Sequence, residues 1–301
     1  MTVYVVLAHR DPTAVRRLAR VLAPSTVVLH VDAREDAGAY SGDDIHVVPD
    51  RTAVNWAGYS TLDAINASMG VALELAGDGE YIVMLSGECF PARPLAEFES
   101  HLASVPSRQY CNGGGMLDSR PESLARITRR WLFDAIPCRP DVGGITAWRW
   151  RLLKTIAILA PRRRASHWRG MEPVGGSLWF ALTRECVADL LDRASSQGVR
   201  RMFRNTYGPD ELVWHTLLYD SPWVAHTPEG AIVPRGERRT RSYANFHFLS
   251  SGRYLDLSDH DDIKASGSYF CRKLRSPESD SLTAVLMRDI HAGLMGEESD
   301  Q

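Results

Sequence analysis

Residues Asn205 to Leu218 read NTYGPDELVWHTLL and set two carboxylates, Asp210 and Glu211, between a Gly-Pro pair and an apolar run. Two kinds of chemistry suit acids at such a point. One is local. Proline fits the first helical position, acids in the first turn favour the positive helix end, and an acid at the third position can reach back to a backbone N–H. The other is catalytic: a carboxylate held at the edge of a site is a general base for a hydroxyl proton. The stretch alone favours capping; the rest of the chain decides whether Glu211 does more.

Few other motifs compete. There is no phosphate-cradling G-x-x-x-x-G-K-[ST] loop, no G-x-G-x-x-G opening a helix and no G-x-S-x-G elbow. GGGM at Gly113 to Met116 reads as a flexible loop, and SDHDD at Ser258 to Asp262 as a solvated turn rather than a metal site. No D-x-D follows a strand, so a diphosphate bound here needs its charge met by side chains. Two basic segments offer that: Arg238, Arg239 and Arg241, and Arg272 with Lys273 in YFCRKL. Each alone reads as a solvated charge run, yet arginine suits bidentate phosphate recognition and lysine supplies a point charge.

These groups need elements to position them. The first part alternates short β-branched runs (VYVVLA, TVVLHVDA, DIHVVP, EYIVMLSG) with helical spacing (TAVRRLARVLA, STLDAINASMGVALELA, LAEFESHLASV). This predicts an α/β fold, a mostly parallel twisted sheet with helices on both faces, binding ligands beyond the strands' carboxyl ends. AHRDP, HVDAR and LSGECFP are then the ligand-facing loops. Residues 113–170 are irregular and rich in Gly, Arg and Trp, an insertion placed to shape a substrate pocket. GGSLWFALT reads as a strand, RECVADLLDRASS as a helix, PDELVWHTLLYD as a helix opening on the two acids, and SLTAVLMRDIHAGLM as a short amphipathic helix. The reading is one domain: about 1–112 nucleotide-binding, 113–170 the acceptor-side insertion, 171–275 catalytic and diphosphate-binding, 276–301 a C-terminal helix and tail.

Composition sets outer bounds. The chain has 301 residues, 44% hydrophobic and 24% charged, with net charge -2. That supplies a substantial core and no global reason to bind nucleic acid or a membrane. The five cysteines are scattered and odd in number. They read as reduced thiols of a cytoplasmic protein. No segment reads as a signal peptide or as a membrane span.

Seven segments, in order between residues 3 and 274, resemble the core-2/I-branching family of β-1,6-N-acetylglucosaminyltransferases and peptide O-xylosyltransferases. They are VVLAHRDPTAVRRLARVL, VVLHVDAR, VVPDRTAVNWAGYSTLDA, YIVMLSGECFPARP, GGSLWFALTRECVADLL, YGPDELVWHTLL and SGSYFCRKL. Residues from about 120 to 169 carry little of the pattern. The resemblance implies a GT-A-like fold and inverting, metal-independent transfer of a sugar from a UDP-sugar to an acceptor hydroxyl. It implies no metal and no cofactor beyond the UDP-sugar co-substrate. Its partners are that donor and a small-molecule or glycan acceptor, with no nucleic acid and no membrane span.

By position, Glu211 takes the family's catalytic base and Lys273 the lysine that neutralises the diphosphate. Arg241 takes the second basic ligand, with Arg239 the alternative. Asp32 takes the acid near the uridine. Arg51 and Arg272 join the donor side, and Trp179 and Asp210 the acceptor side. GlcNAc is the first donor sugar implied and xylose the second; a non-catalytic nucleotide- or polyanion-binding protein is the reading from another class. Two departures fall on donor-side segments: Ala57 stands where the family usually has Gly, and Cys89 where it usually has Asp.

Overall fold

The computed structural model of the chain describes residues 2–42, 45–117, 119–139, 143–233, 246–250 and 252–298. Its central strand is β1 (Thr2–Ala8), whose apolar run lacks polar alternation because both faces are covered. Then follow α1 (Pro12–Leu22), β2 (Thr26–Val31), β3 (Ile45–Val47), α2 (Tyr59–Leu75) and β4 (Tyr81–Ser86). β2 and β4 flank β1 in parallel, and β3 pairs parallel to β2. The first crossover steps away from β1 and the second returns past it. Right-handed connections therefore place α1 and α2 on opposite faces. The reversal opens a crevice at the carboxyl ends of β1 and β4, the place where such sheets bind ligands.

The remaining elements are β5 (Phe90–Pro91), α3 (Leu95–Ala103), β6 (Gly113–Gly115), α4 (Pro121–Thr128), α5 (Ile145–Leu159), β7 (Val174–Gly176), β8 (Ala181–Thr183), α6 (Arg184–Ala194), α7 (Gln197–Phe203), α8 (Val213–Tyr219), β9 (Ile232–Val233), β10 (His247–Leu249), α9 (His260–Ser266), β11 (Phe270–Arg272) and α10 (Asp280–Glu298). β8 closes the main sheet antiparallel to β4, giving the order β3-β2-β1-β4-β8. Two small sheets, β10-β11-β5 and β7-β6-β9, extend the end that carries the site. On α1 the expected face, Val15, Leu18, Ala19 and Leu22, is buried, and Asp11 caps its start by accepting from the Ala14 N–H at 2.9 Å. Val15, Leu18 and Leu22 each contribute roughly 1.5–3 kcal/mol by leaving water.

Four local expectations are corrected. GGGM is not a loop: Gly113–Gly115 form β6, paired to β7 and β9. The strands meet so closely that a Cβ at Gly176 would lie 1.8 Å from the Asn112 carbonyl oxygen. Glycine is therefore a condition of the pairing. GGSLWFALT is two strands, β7 and β8, broken at residues 177–180. Pro209–Glu211 form a separate 3-10 turn, and α8 begins only at Val213, because Leu212 leaves helical geometry at φ -122° and ψ -51°. SDHDD is the entry to α9. Asp256 and Asp259 form a capping box there, and the Arg253 guanidinium holds the Asp259 carboxylate with two nitrogens. Among the described residues, no helix is long and apolar enough to cross a membrane.

Candidate active site

One end of the candidate site, the one expected to take the donor, is built where β1, β2 and β4 stop. The Asp32 N–H donates to the Ala8 carbonyl and the Gly87 N–H to the Leu7 carbonyl, both at 2.9 Å, so the two acidic loops flank the end of β1. The buried Asp32 carboxylate accepts from the backbone N–H of Arg34 at 2.9 Å and of Val54 at 3.0 Å, with Arg34 Nη1 at 3.5 Å. Arg51 donates to the carbonyls of Glu35 at 2.9 Å and Asp32 at 3.4 Å, fixing the loop after β2. In the other acidic loop, Glu88 sits between two guanidinium groups, Arg10 at 2.8 Å and Arg272 at 3.6 Å.

The register of the small sheet explains that meeting. β11 runs antiparallel to β5, with Cys271 opposite Phe90, and the Leu274 N–H donates to the Glu88 carbonyl at 2.9 Å. The RKL segment is thus laid directly along GECFP. Arg272 also lies over the Trp179 ring, 4.3 Å from its centroid, a cation–π contact that fixes the guanidinium plane. Trp179 therefore packs at the donor end, under Arg272. His247 packs beside it with the rings tilted by 40°, its imidazole pushed down to about 3 by burial and then by the Arg272 charge, which leaves it neutral. Half-buried Lys273 follows, and among the described residues its ammonium has no hydrogen-bond or ion-pair partner. Cys89 is buried, and desolvation raises its thiol above the ordinary range. The acid facing the cations is Glu88, one residue earlier. Arg238, Arg239 and Arg241 lie outside the described residues.

The other end, the one expected to take the acceptor, centres on Glu211. Its Oε2 accepts from Arg126 Nη2 at 2.6 Å, while Arg126 Nε donates to the Tyr207 carbonyl at 3.2 Å and the guanidinium covers the Tyr207 ring at 5.6 Å. Arg126 reaches the carboxylate past Gly208, which has φ 64°; a Cβ there would lie 2.8 Å from Arg126 Nη2. Glu211 caps nothing: its side chain turns to Arg126 instead of back to the chain. Asp210 is partly buried, and its carboxyl is raised to about 7, first by desolvation and then by the Glu211 charge. The aromatic ring beside the turn is Tyr207, whereas Trp214 packs on Phe180 and donates to Asn66.

Behind Tyr207, the insertion forms its own apolar cluster. Trp131, Phe133 and Trp150 stack with interplanar angles of 10° to 17°, and the Tyr207 and Trp56 rings meet edge-on to Phe133 at 5.1 and 5.6 Å. Asp134 reaches from the insertion to the start of α2. There it accepts from the Tyr59 N–H at 2.8 Å and from the Ser60 hydroxyl at 2.7 Å. Ala57, the departure noted above, takes φ 57°, the left-handed conformation that glycine adopts at no steric cost. Its carbonyl accepts from the Gly208 N–H at 3.0 Å, tying this segment to the Glu211 turn. Contacts run on through Asn55, which accepts from Arg34 Nη2 at 2.8 Å, to Asp32. One run of contacts thus links the two ends. Arg126, Asp134, Glu88 and Arg10 were not singled out from sequence; only the placement of AHRDP and LSGECFP at strand ends pointed towards the last two. Among the described residues, no three His, Cys, Asp or Glu side chains are grouped to hold a metal.

Residues 3–227 match the sequence profile of the Core-2/I-Branching enzyme family. The chain therefore belongs to the core-2/I-branching family, a family of glycosyltransferases, and its sheet arrangement is that of a GT-A-like fold. Xylosyltransferase oxt of Drosophila melanogaster is 26% identical over 218 residues, covering 68% of this chain. The alignment spans only 22% of that relative's length. The family match ends before Arg272 and Lys273, so their place beside the donor loop comes from the β5–β11 pairing.

Proposed function

We propose that the chain transfers a sugar, GlcNAc in the first instance, from a UDP-sugar to an acceptor hydroxyl with inversion and without a divalent metal. In this reading Glu211 takes the acceptor proton as the acceptor oxygen bonds to C1 and the C1–phosphate bond breaks on the opposite side. The charge leaves with UDP. Lys273 and Arg272 meet that charge, and fixed cations of this kind supply a large share of catalysis. UDP is a good leaving group, so no acid is assigned to it.

The observation that carries the reading is the pair of ends: a carboxylate fixed by Arg126 at one, and at the other Lys273, without a partner among the described residues, beside Arg272, the two joined by one run of contacts. Xylose is the second donor, favoured by the name of the fly relative. Five free, buried thiols favour a reducing compartment, so we assign the protein to the cytoplasm.

Glu211→Gln is expected to bind UDP like the parent in calorimetry while sugar transfer falls by about 10²–10⁴-fold. Near-parental turnover removes the base assignment. Activity is expected to persist in excess EDTA. A loss that Mn²⁺ restores overturns the metal-free part, and a panel of UDP-sugars assayed for UDP release decides between GlcNAc and xylose.

A further inference from the structure

The insertion presents a surface that the transfer chemistry does not use. α5 buries Trp150, Leu153 and Ala157 against the aromatic cluster behind Tyr207. Its opposite side exposes Ile145 (63%), Trp148 (58%), Leu152 (37%) and Leu159 (78%). At about 100° per residue, these four fall within about 60° of one another on the helix. They form one apolar stripe along some 22 Å of axis, estimated from about 1.5 Å per residue. An apolar stripe of this kind, centred on a tryptophan, is not the random scatter expected of a water-facing helix.

The charges around the stripe have one sign. From Gly143 to Met171 there are seven Lys and Arg residues and no Asp or Glu, in a chain of net charge -2. On the helix, exposed Arg149 flanks the stripe on one side and exposed Arg151 on the other; Lys154, also exposed, lies about 120° round from Trp148. Beyond its end, Arg162 and Arg164 are also exposed. Arg163 alone turns inward, where it donates to the carbonyls of Arg129 at 2.5 Å and Ile127 at 3.3 Å at the end of α4. Long cationic side chains beside an apolar stripe can keep their heads in the headgroup layer while the stripe sinks below it.

We propose that α5 docks flat on a bilayer that carries anionic lipid, with Ile145, Trp148, Leu152 and Leu159 in the acyl boundary and the flanking cations on the headgroups. A protein partner is the weaker fit, because nothing in the stripe asks for a shaped pocket; a nucleic acid would meet the cations but leave the apolar residues in water. The docking itself does not depend on the transfer reading. Combined with that reading, it holds the chain at a membrane surface with α5 and the aromatic cluster between the lipid and Tyr207, and the acceptor class it favours is a hydroxyl offered at that surface.

The test is sedimentation of the intact chain with large vesicles, without donor or turnover, so its outcome is independent of the catalytic assignment. Vesicles of phosphatidylcholine with one third phosphatidylglycerol are expected to bind the chain about tenfold or more better than phosphatidylcholine alone, and high salt should erase that difference. Trp148→Ser with Leu159→Ser should weaken binding by about tenfold while leaving the melting temperature unchanged, since both side chains are already in water. The proposal is overturned if the parent ignores anionic vesicles, or if the double variant binds them equally well. It is also overturned if the variant instead abolishes a concentration-dependent dimer, or if duplex DNA binds more tightly than vesicles and is indifferent to the apolar changes.

Discussion

At the β1, β2 and β4 ends Asp32 has three nitrogen partners and Glu88 has two, whereas at the other end the Glu211 carboxylate is held, among the described residues, by Arg126 alone. The first arrangement rests on strand ends of one sheet, where neighbouring backbones set side-chain positions. The second bridges two segments 85 residues apart in sequence. In the proposed reading, the difference separates the end that takes the nucleotide from the end that takes the acceptor. The densely cross-bonded end fixes its charged groups where the proposal places the diphosphate. One ion pair, from Arg126 to Oε2, orients the carboxylate that the proposal takes as the base.

The comparison can be broken in order of expected effect. Lys273→Ala should lower turnover by about 10²–10³-fold and weaken UDP, since no other described cation there lacks a partner and can replace it. Unchanged UDP affinity in calorimetry would detach Lys273 from the diphosphate. Arg126→Ala should lower kcat by about 10–10²-fold with little change in KM for the donor, because it orients Glu211 without touching the nucleotide. A rise in donor KM with kcat intact would dissolve the distinction between the two ends.

The smallest effect is on stability and concerns Asp210. Its carboxyl is raised from 3.8 to about 7 in the fold, so the native state holds a proton that the unfolded chain has lost. Stability should therefore fall as pH rises between those values, and Asp210→Asn should flatten that slope. Melting temperatures at about pH 5 and about pH 8 measure it, and an unchanged slope in the variant would mean that the group is not desolvated.

Much of the donor half was legible because its signals are local. β1, β2 and β4 are short β-branched runs, α1 and α2 have apolar spacing, and parallel pairing follows from their alternation. Arg272 and Lys273 were found as a motif, and the structure adds the partner strand. The acceptor half was harder to read for physical reasons. Gly113–Gly115 pair because they lack side chains, so their strand leaves no hydrophobic pattern. Pro209–Glu211 have the composition of a helix start, but Leu212 turns the chain before α8 begins. Arg126 stands in a generally basic region, and no spacing rule links it to an acid so far along the chain.

Asp134 carries a consequence for anyone recombining these enzymes. It belongs to the insertion, yet it supplies the cap that Gly58 cannot provide for the first turn of α2 in the sheet half. The insertion is therefore not a detachable module. A chimaera that trades this region for a relative's must bring a carboxylate to the same N–H groups, or the graft will unravel a helix of the half it was meant to leave alone.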